Sequence, residues 1–436
     1  MLPMYLTLGV FVLLVIGFVS QKFPLGAVAM GCVTLLYLMG VLTFKEAYEN
    51  FANANVILVG SMFVLSAALG KTPLVDKLNA FIIKYAGGNP RRVLFFFLLA
   101  VAVLMQFLPP TATLTMLLPF ALIMDRKGSL GRTKSMFALA VSSFMWQGVL
   151  PLSMGISLTA QLNGYMEAGG AVATAALQDR FIIGFVPAAI GVIFLLTIGY
   201  KLLPDKPTVP LAEDDIKGAE AGDKQFSEAA EKPTTREDKF IYAIFAVVIA
   251  AMFVIPDSVV KSCVIPVVGC LALIATGCMK DFEVFKALNL NILFMLAGIM
   301  GLSTALSKTG GADLIANAIV SVIGEGTHPV IVIAIFYFVA CIVSQAFSNA
   351  GTMALLIPLM AATAVKMGVS PAAVGQAVMF GANADALLPV GSPGMAIAFG
   401  AGGYKFTDML KPGIVMMFVY GFSVVAMVYL YYYVFV

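Results

Sequence analysis

The sequence predicts an all-α polytopic membrane protein built from two inverted repeats, each with a re-entrant helical hairpin and a broken transmembrane helix. Three observations carry this prediction. Of 436 residues, 61% are hydrophobic and 11% charged, with a mean hydropathy of +0.99, whereas soluble domains carry about 25% charged residues. Long apolar regions hold polar clusters at their centres, where lipid would leave polar groups unsatisfied. The second half of the chain also repeats the pattern of the first.

Apolar stretches able to cross a hydrocarbon core of ~30 Å lie near 4–20, 24–42, 55–70, 181–200, 240–255, 263–279, 292–307 and 413–435. The first, Met4 to Val19, lacks the basic n-region and small-x-small cleavage site of a signal peptide and reads as a retained span. Residues 201–239 carry seven basic and ten acidic residues with few aliphatics, the composition of a solvated linker. It separates an N-terminal repeat, 1–200, from a C-terminal one, 240–436.

The region 330–365 would be ~54 Å long as one helix, too long to cross once, and is too short for two crossings joined by a turn. Two short arms with the polar tip SQAFSNAGT fit better, as does a hairpin over 93–124 tipped by LPPTAT. Such irregular tips are tolerated only where they line a cavity inside protein. Each hairpin precedes a crossing interrupted at its middle: 134–165 contains GVLPLSMGIS and 372–404 contains LLPVGSPGM. Pro and Gly break helical hydrogen bonding there, so half-helix N-termini face anions and freed carbonyls suit cations.

The repeat is visible residue by residue. SAALGKTPLVDKL at 66–78 aligns with STALSKTGGADLI at 303–315, matching Lys71 with Lys308 at a shift of 237. At a shift of 239, Gln106 meets Gln345, Thr113 meets Thr352 and Pro119 meets Pro358. Basic residues are concentrated at the flanks of the first hairpin, NPRR and DRKGSLGRTK, and sparse at those of the second, GEGTHP and KMGVSP, so the repeats are inverted. With the N-terminus outside and ten crossings, 21 of the 26 basic residues fall on the cytoplasmic side, leaving Lys45, Arg180, Lys261, Lys308 and Lys366 outside. Lys71 and Lys308 read as span-end anchors. A multi-pass protein of the plasma membrane, the bacterial inner membrane, with both termini outside, is expected.

Together these features describe a secondary transporter holding its solute near the midplane. There is no phosphate-binding GxxxxGK[ST] loop for ATP. The five cysteines lie in apolar segments without CxxC, and the one histidine, His328, stands at a loop, which argues against disulfides, transition-metal sites and enzymatic chemistry. Nucleic acid is not an expected partner.

SNAGTMALLIP (348–358) resembles the Ser-Asn-Thr hairpin signature of the divalent anion:sodium symporter family, and LLPVGSPGMAIAFGAG (387–402) resembles its broken-helix segment. The resemblance implies Na⁺-coupled uptake of dicarboxylate, citrate or sulfate by an elevator motion against a dimeric scaffold, without a cofactor. It implies solute contacts from Thr111, Thr113, Ser348, Asn349, Thr352, Ser392 and Pro393. It also implies a Na⁺ site from Ser344, Asn349 and the backbone near Phe347 and Gly391. Neutral Ser, Thr and Asn donate to carboxylates, while carbonyls coordinate Na⁺. Small residues have another membrane use, in helix packing.

Two departures bear on the ions. Pro109-Pro110 replaces the family's Ser-Asn pair in the first tip, so one cation site is expected to be missing, and Ser392-Pro393-Gly394-Met395 lacks the family's amide. Asp385 is either an intramembrane proton or sodium site or a carboxylate facing a wet vestibule. Gln106 and Gln345 either brace the hairpins or face solute. A Na⁺/H⁺ or other cation antiporter working through Asp385, with H⁺ as a coupling ion, is the alternative. A non-transporting membrane scaffold or sensor is a reading from another class.

Overall fold

The computed structural model describes residues 2–435 apart from 21, 74–76, 78–89, 127–129, 173, 205–206, 208–233, 257, 385 and 388–392. Among the described residues, regular structure is helical throughout. A chain this apolar has little water to satisfy its backbone, and a helix pairs its N–H and C=O groups internally. Among the described residues, six segments are long and apolar enough to cross a membrane: Leu2–Ser20, Phe44–Gly70, Asp179–Leu202, Leu290–Thr309, Asn349–Met367 and Thr407–Phe435.

The hairpin arms are Pro90–Leu104 with Pro110–Arg126 and Pro329–Ala346 with Asn349–Met367. Prolines open three of the four arms, where a missing N–H costs no helical bond. The broken helices are Arg132–Met145 with Ser153–Ala168, and Pro371–Ala382 with Pro393–Gly402. Both arms of each hairpin pack on the first segment of the broken helix that follows.

The short helices Phe44–Tyr48, Asp281–Ala287 and Gly311–Ile323 lie outside the expected spans. The last carries Asp313 and Asn317, which interrupt its apolar run. It is set off by Gly310, whose φ of 79° is the left-handed conformation glycine adopts without a Cβ clash.

Two apolar cores organise the chain. One unites Leu2–Ser20, Leu25–Leu38, Ala54–Gly70, Ser153–Ala168, Arg236–Val254, Val264–Ala275 and Leu290–Thr309. The other unites the first hairpin, Arg132–Met145, Asp179–Phe194, Pro393–Gly402 and Phe406–Leu430. The second hairpin contributes to both. In the first core, small residues let backbones approach closely. The Gly26 N–H donates to Asn291 Oδ1 at 2.7 Å, and a Cβ on Gly298 would stand 2.8 Å from that of Ala29.

Lys71 and Lys308 are more than anchors. Lys71 pairs with Glu283 at 2.5 Å and Lys308 with Glu46 at 2.9 Å. The shift of 237 that maps Lys71 onto Lys308 also maps Glu46 onto Glu283, so each half lends its glutamate to the other's lysine. Glu46 closes a capping box with Thr43, and Glu283 accepts from the Lys280 backbone N–H at 2.8 Å. The backbone N–H of Lys280, and then Lys71, hold the Glu283 carboxyl below the usual carboxylate range.

Candidate functional site

The two hairpin tips meet at one cavity of about 880 Å³, at the upper end of the ~300–1,000 Å³ typical of ligand sites. From the first tip Pro109, Pro110, Thr111 and Ala112 line it, and from the second Ser348, Asn349 and Ala350. Each set is the N-terminal turn of a helix, so two partial positive charges converge on one space. Ser348 caps its helix by accepting from the Gly351 N–H at 3.2 Å. Pro109 and Pro110 supply no N–H, so the first tip offers fewer donors than the second.

The other expected residues take different places. Thr113 and Thr352, matched by the repeat, are buried behind the tips, and neither hydroxyl has a hydrogen-bond partner among the described residues. Ser344 is buried and donates to the Cys341 carbonyl at 3.1 Å. Phe347 ends its arm in extended backbone, at φ −121° and ψ 167°. Neither Ser344 nor Phe347 is among the described residues of the cavity wall. Pro393 opens Pro393–Gly402, which places Met395 on the wall. Asp385, Gly391 and Ser392 lie outside the described residues.

Gln106 and Gln345 are braces. Gln106 Nε2 donates to the carbonyls of Ala102 and Trp146, and its Oε1 accepts from the Leu150 N–H. Gln345 Nε2 donates to the carbonyls of Cys341 and Ala384, and its Oε1 accepts from the Leu387 N–H. Each glutamine therefore ties the end of a first arm to the break of the following helix. The first break is tight: Gly148 has φ 59°, and a Cβ on Gly155 would stand 2.0 Å from the Leu150 carbonyl oxygen. Only glycine fits both positions.

Several wall residues were not singled out from the sequence. Lys286, exposed and stacked 4.6 Å over the Phe282 ring, stands at the cavity, followed by Asn289, whose Oδ1 accepts from the Ile292 N–H as an N-cap. Ser66, Gln161 and Asn383 supply further polar groups. The cap before an apolar run was a legible signal for Asn289. Lys286 appeared only as one more cytoplasmic charge. Arg180, assigned by sequence to an outside loop, is 2% exposed inside the second core.

This arrangement has the fold of known membrane transporters. The structure of the Alcanivorax borkumensis YdaH transporter is similar with a TM-score of 0.62 over 98% of this chain and 97% of that one, at 15% identity. Neisseria gonorrhoeae MtrF, an antimetabolite efflux pump, is similar with a TM-score of 0.62 over 99% of this chain and 95% of its own, at 13% identity. The family model described as citrate transporter, CitMHS, matches residues 15–375 and again 262–436. The chain belongs to that family.

Among relatives, the sodium-dependent dicarboxylate transporter SdcS of Staphylococcus saprophyticus is 23% identical over 93% of this chain and 82% of its own length. SdcS of Staphylococcus aureus is 22% identical over 94% of this chain and 82% of its own. An uncharacterized transporter of Synechocystis, sll0640, is 29% identical over 42% of this chain, and the match spans 30% of that relative's length. YfbS of Escherichia coli, also an uncharacterized transporter, is matched over 28% of its length. Both the family and the SdcS relatives agree with the divalent anion:sodium symporter resemblance.

Proposed function

We propose that the chain is a secondary active transporter of a small organic anion, a dicarboxylate in the first instance, coupled to Na⁺. The observation that carries this reading is the meeting of two helix N-termini at one cavity. Lys286 adds positive charge there, and no carboxylate stands on the described wall. Such a site favours an anion over a cation. Ser348 and Asn349 supply neutral donors for carboxylate oxygens, and Thr111 faces them from the other tip. The names of the SdcS relatives supply the sodium and the dicarboxylate.

The same proposal includes an elevator movement of the hairpins and broken helices against a homodimeric scaffold in a bacterial inner membrane, with both termini outside. Residues 1–200 and 240–436 form its two inverted repeats, joined by a cytoplasmic linker over 201–239.

The test is uptake of labelled succinate or citrate into proteoliposomes under an inward Na⁺ gradient. Accumulation of at least one of these anions that collapses without the gradient is expected. Exchange of Na⁺ for H⁺ with no carboxylate present, or binding without accumulation, would overturn the reading.

A further inference from the structure

Arg180 is a buried cation whose role the solute site does not use. Its Nε donates to the Gly148 carbonyl at 3.1 Å and its Nη2 to the Gln147 carbonyl at 3.0 Å. Its guanidinium lies 4.6 Å from the centre of the Phe380 ring, on the first segment of the other broken helix. Nη1 has no hydrogen-bond partner among the described residues. The adjacent Asp179 is engaged elsewhere, accepting from the hydroxyls of Tyr431 at 2.9 Å and Tyr432 at 2.7 Å and from the Ala176 N–H at 3.0 Å. Among the described residues no carboxylate stands within ion-pair distance of Arg180.

A buried charge without a counter-charge is costly, and a neutral donor would suffice merely to cap a carbonyl. Gln106 does that for the neighbouring Trp146 carbonyl. The carbonyls of Gln147 and Gly148 follow the C-terminal end of Arg132–Met145, where the helix dipole is negative. Freed carbonyls at a half-helix C-terminus are what coordinate a metal cation inside a membrane. A guanidinium offers them a permanent charge and directed donors at once. Aligning Asp179 and Gly184 with Asp408 and Gly413 sets the uncharged Met409 opposite Arg180 in the second half.

We propose that Arg180 is a tethered cation: its guanidinium occupies the carbonyl site at the first break, in the place a free metal ion would take, and leaves only the second break to a mobile coupling ion. Gln147, held by Arg180 and lining the cavity, then brings that fixed charge to bear on the anion site. This deepens the transporter reading, on which its consequence for coupling rests. Its test does not depend on transport.

The melting temperature of the full-length protein in detergent is measured from sodium-free to high-sodium buffer, with choline holding ionic strength constant. Wild type, Arg180→Met and Arg180→Lys are compared. Arg180→Met should melt lower in choline and gain a Na⁺-dependent rise about 4 °C larger than that of wild type, since the emptied carbonyl site can now bind the ion. Arg180→Lys should follow wild type. A folded Arg180→Met with the wild-type response to Na⁺ would overturn the proposal. Should Arg180→Met yield no folded protein, equilibrium binding of radiolabelled Na⁺ to wild type decides: at most one ion per chain is expected, and two would refute it. A failed succinate uptake assay would leave these outcomes unaffected, and the reverse also holds.

Discussion

In the first half of the chain Gln106 bridges the carbonyls of Ala102 and Trp146 to the Leu150 N–H, and in the second Gln345 bridges those of Cys341 and Ala384 to the Leu387 N–H. Lys71 and Lys308 likewise pair with glutamates at matched positions. Where the halves face the cavity, the agreement stops. Pro109-Pro110 stands opposite Ser348-Asn349, and off the cavity wall the buried Arg180 stands opposite Met409. Inverted repeats must keep the bonds that hold hairpin to broken helix, because a loose tip cannot position donors. On the proposed reading both tips serve a single solute, so each is free to offer different donors.

The largest expected break in this comparison is between the tips. Asn349→Ala should lower anion uptake about 100-fold, by removing a donor to a charged group. Thr111→Ala should lower it no more than about 5-fold, because this hydroxyl sits on a prolyl tip with few donors beside it. Equal losses would make the tips equivalent. The framework should behave in the opposite way. Gln106→Leu and Gln345→Leu should each destabilise the protein by about 3 kcal/mol, since each leaves buried carbonyls and an N–H without a partner. Thermal unfolding of the two variants should agree closely, and a one-sided loss would refute the symmetry.

The smallest effect concerns the crossed ion pairs. Glu283→Gln should lower the melting temperature by about 1 °C at neutral pH, as expected of a half-exposed pair. Because folding depresses the Glu283 carboxyl, its contribution is complete above the unfolded pKa and lost as pH falls through the folded value. The difference between wild type and Glu283→Gln should therefore vanish in acid. Glu46→Gln, which breaks the matched pair with Lys308, should lower the melting temperature at neutral pH by a similar amount.

Hairpins, broken helices and the repeat were legible because length against bilayer thickness and internal matches are properties of the chain alone. The tip residues Thr111, Ser348 and Asn349 were implied by the resemblance to the divalent anion:sodium symporter family rather than by length or repeat, and all three line the cavity. Lys286 could not be named, because nothing local distinguishes it from any other basic residue beside a span, and only packing brings Asp281–Ala287 to the cavity. The burial of Arg180 was not legible either. A basic residue at the start of an apolar run normally marks a membrane face, and its burial depends on carbonyls at Gln147 and Gly148 that are 33 and 32 residues away in sequence. Gly311–Ile323 was hidden by its own polar residues.

The central claim is that both tips close on one bound anion. Its most direct test places Thr111→Cys and Ala350→Cys separately in a chain lacking its five native cysteines and measures labelling by a charged thiol reagent against rising succinate, citrate or sulfate. The account predicts that one of these anions protects both positions with the same half-saturating concentration. Protection of one tip alone, or of neither by any of the three, would contradict it.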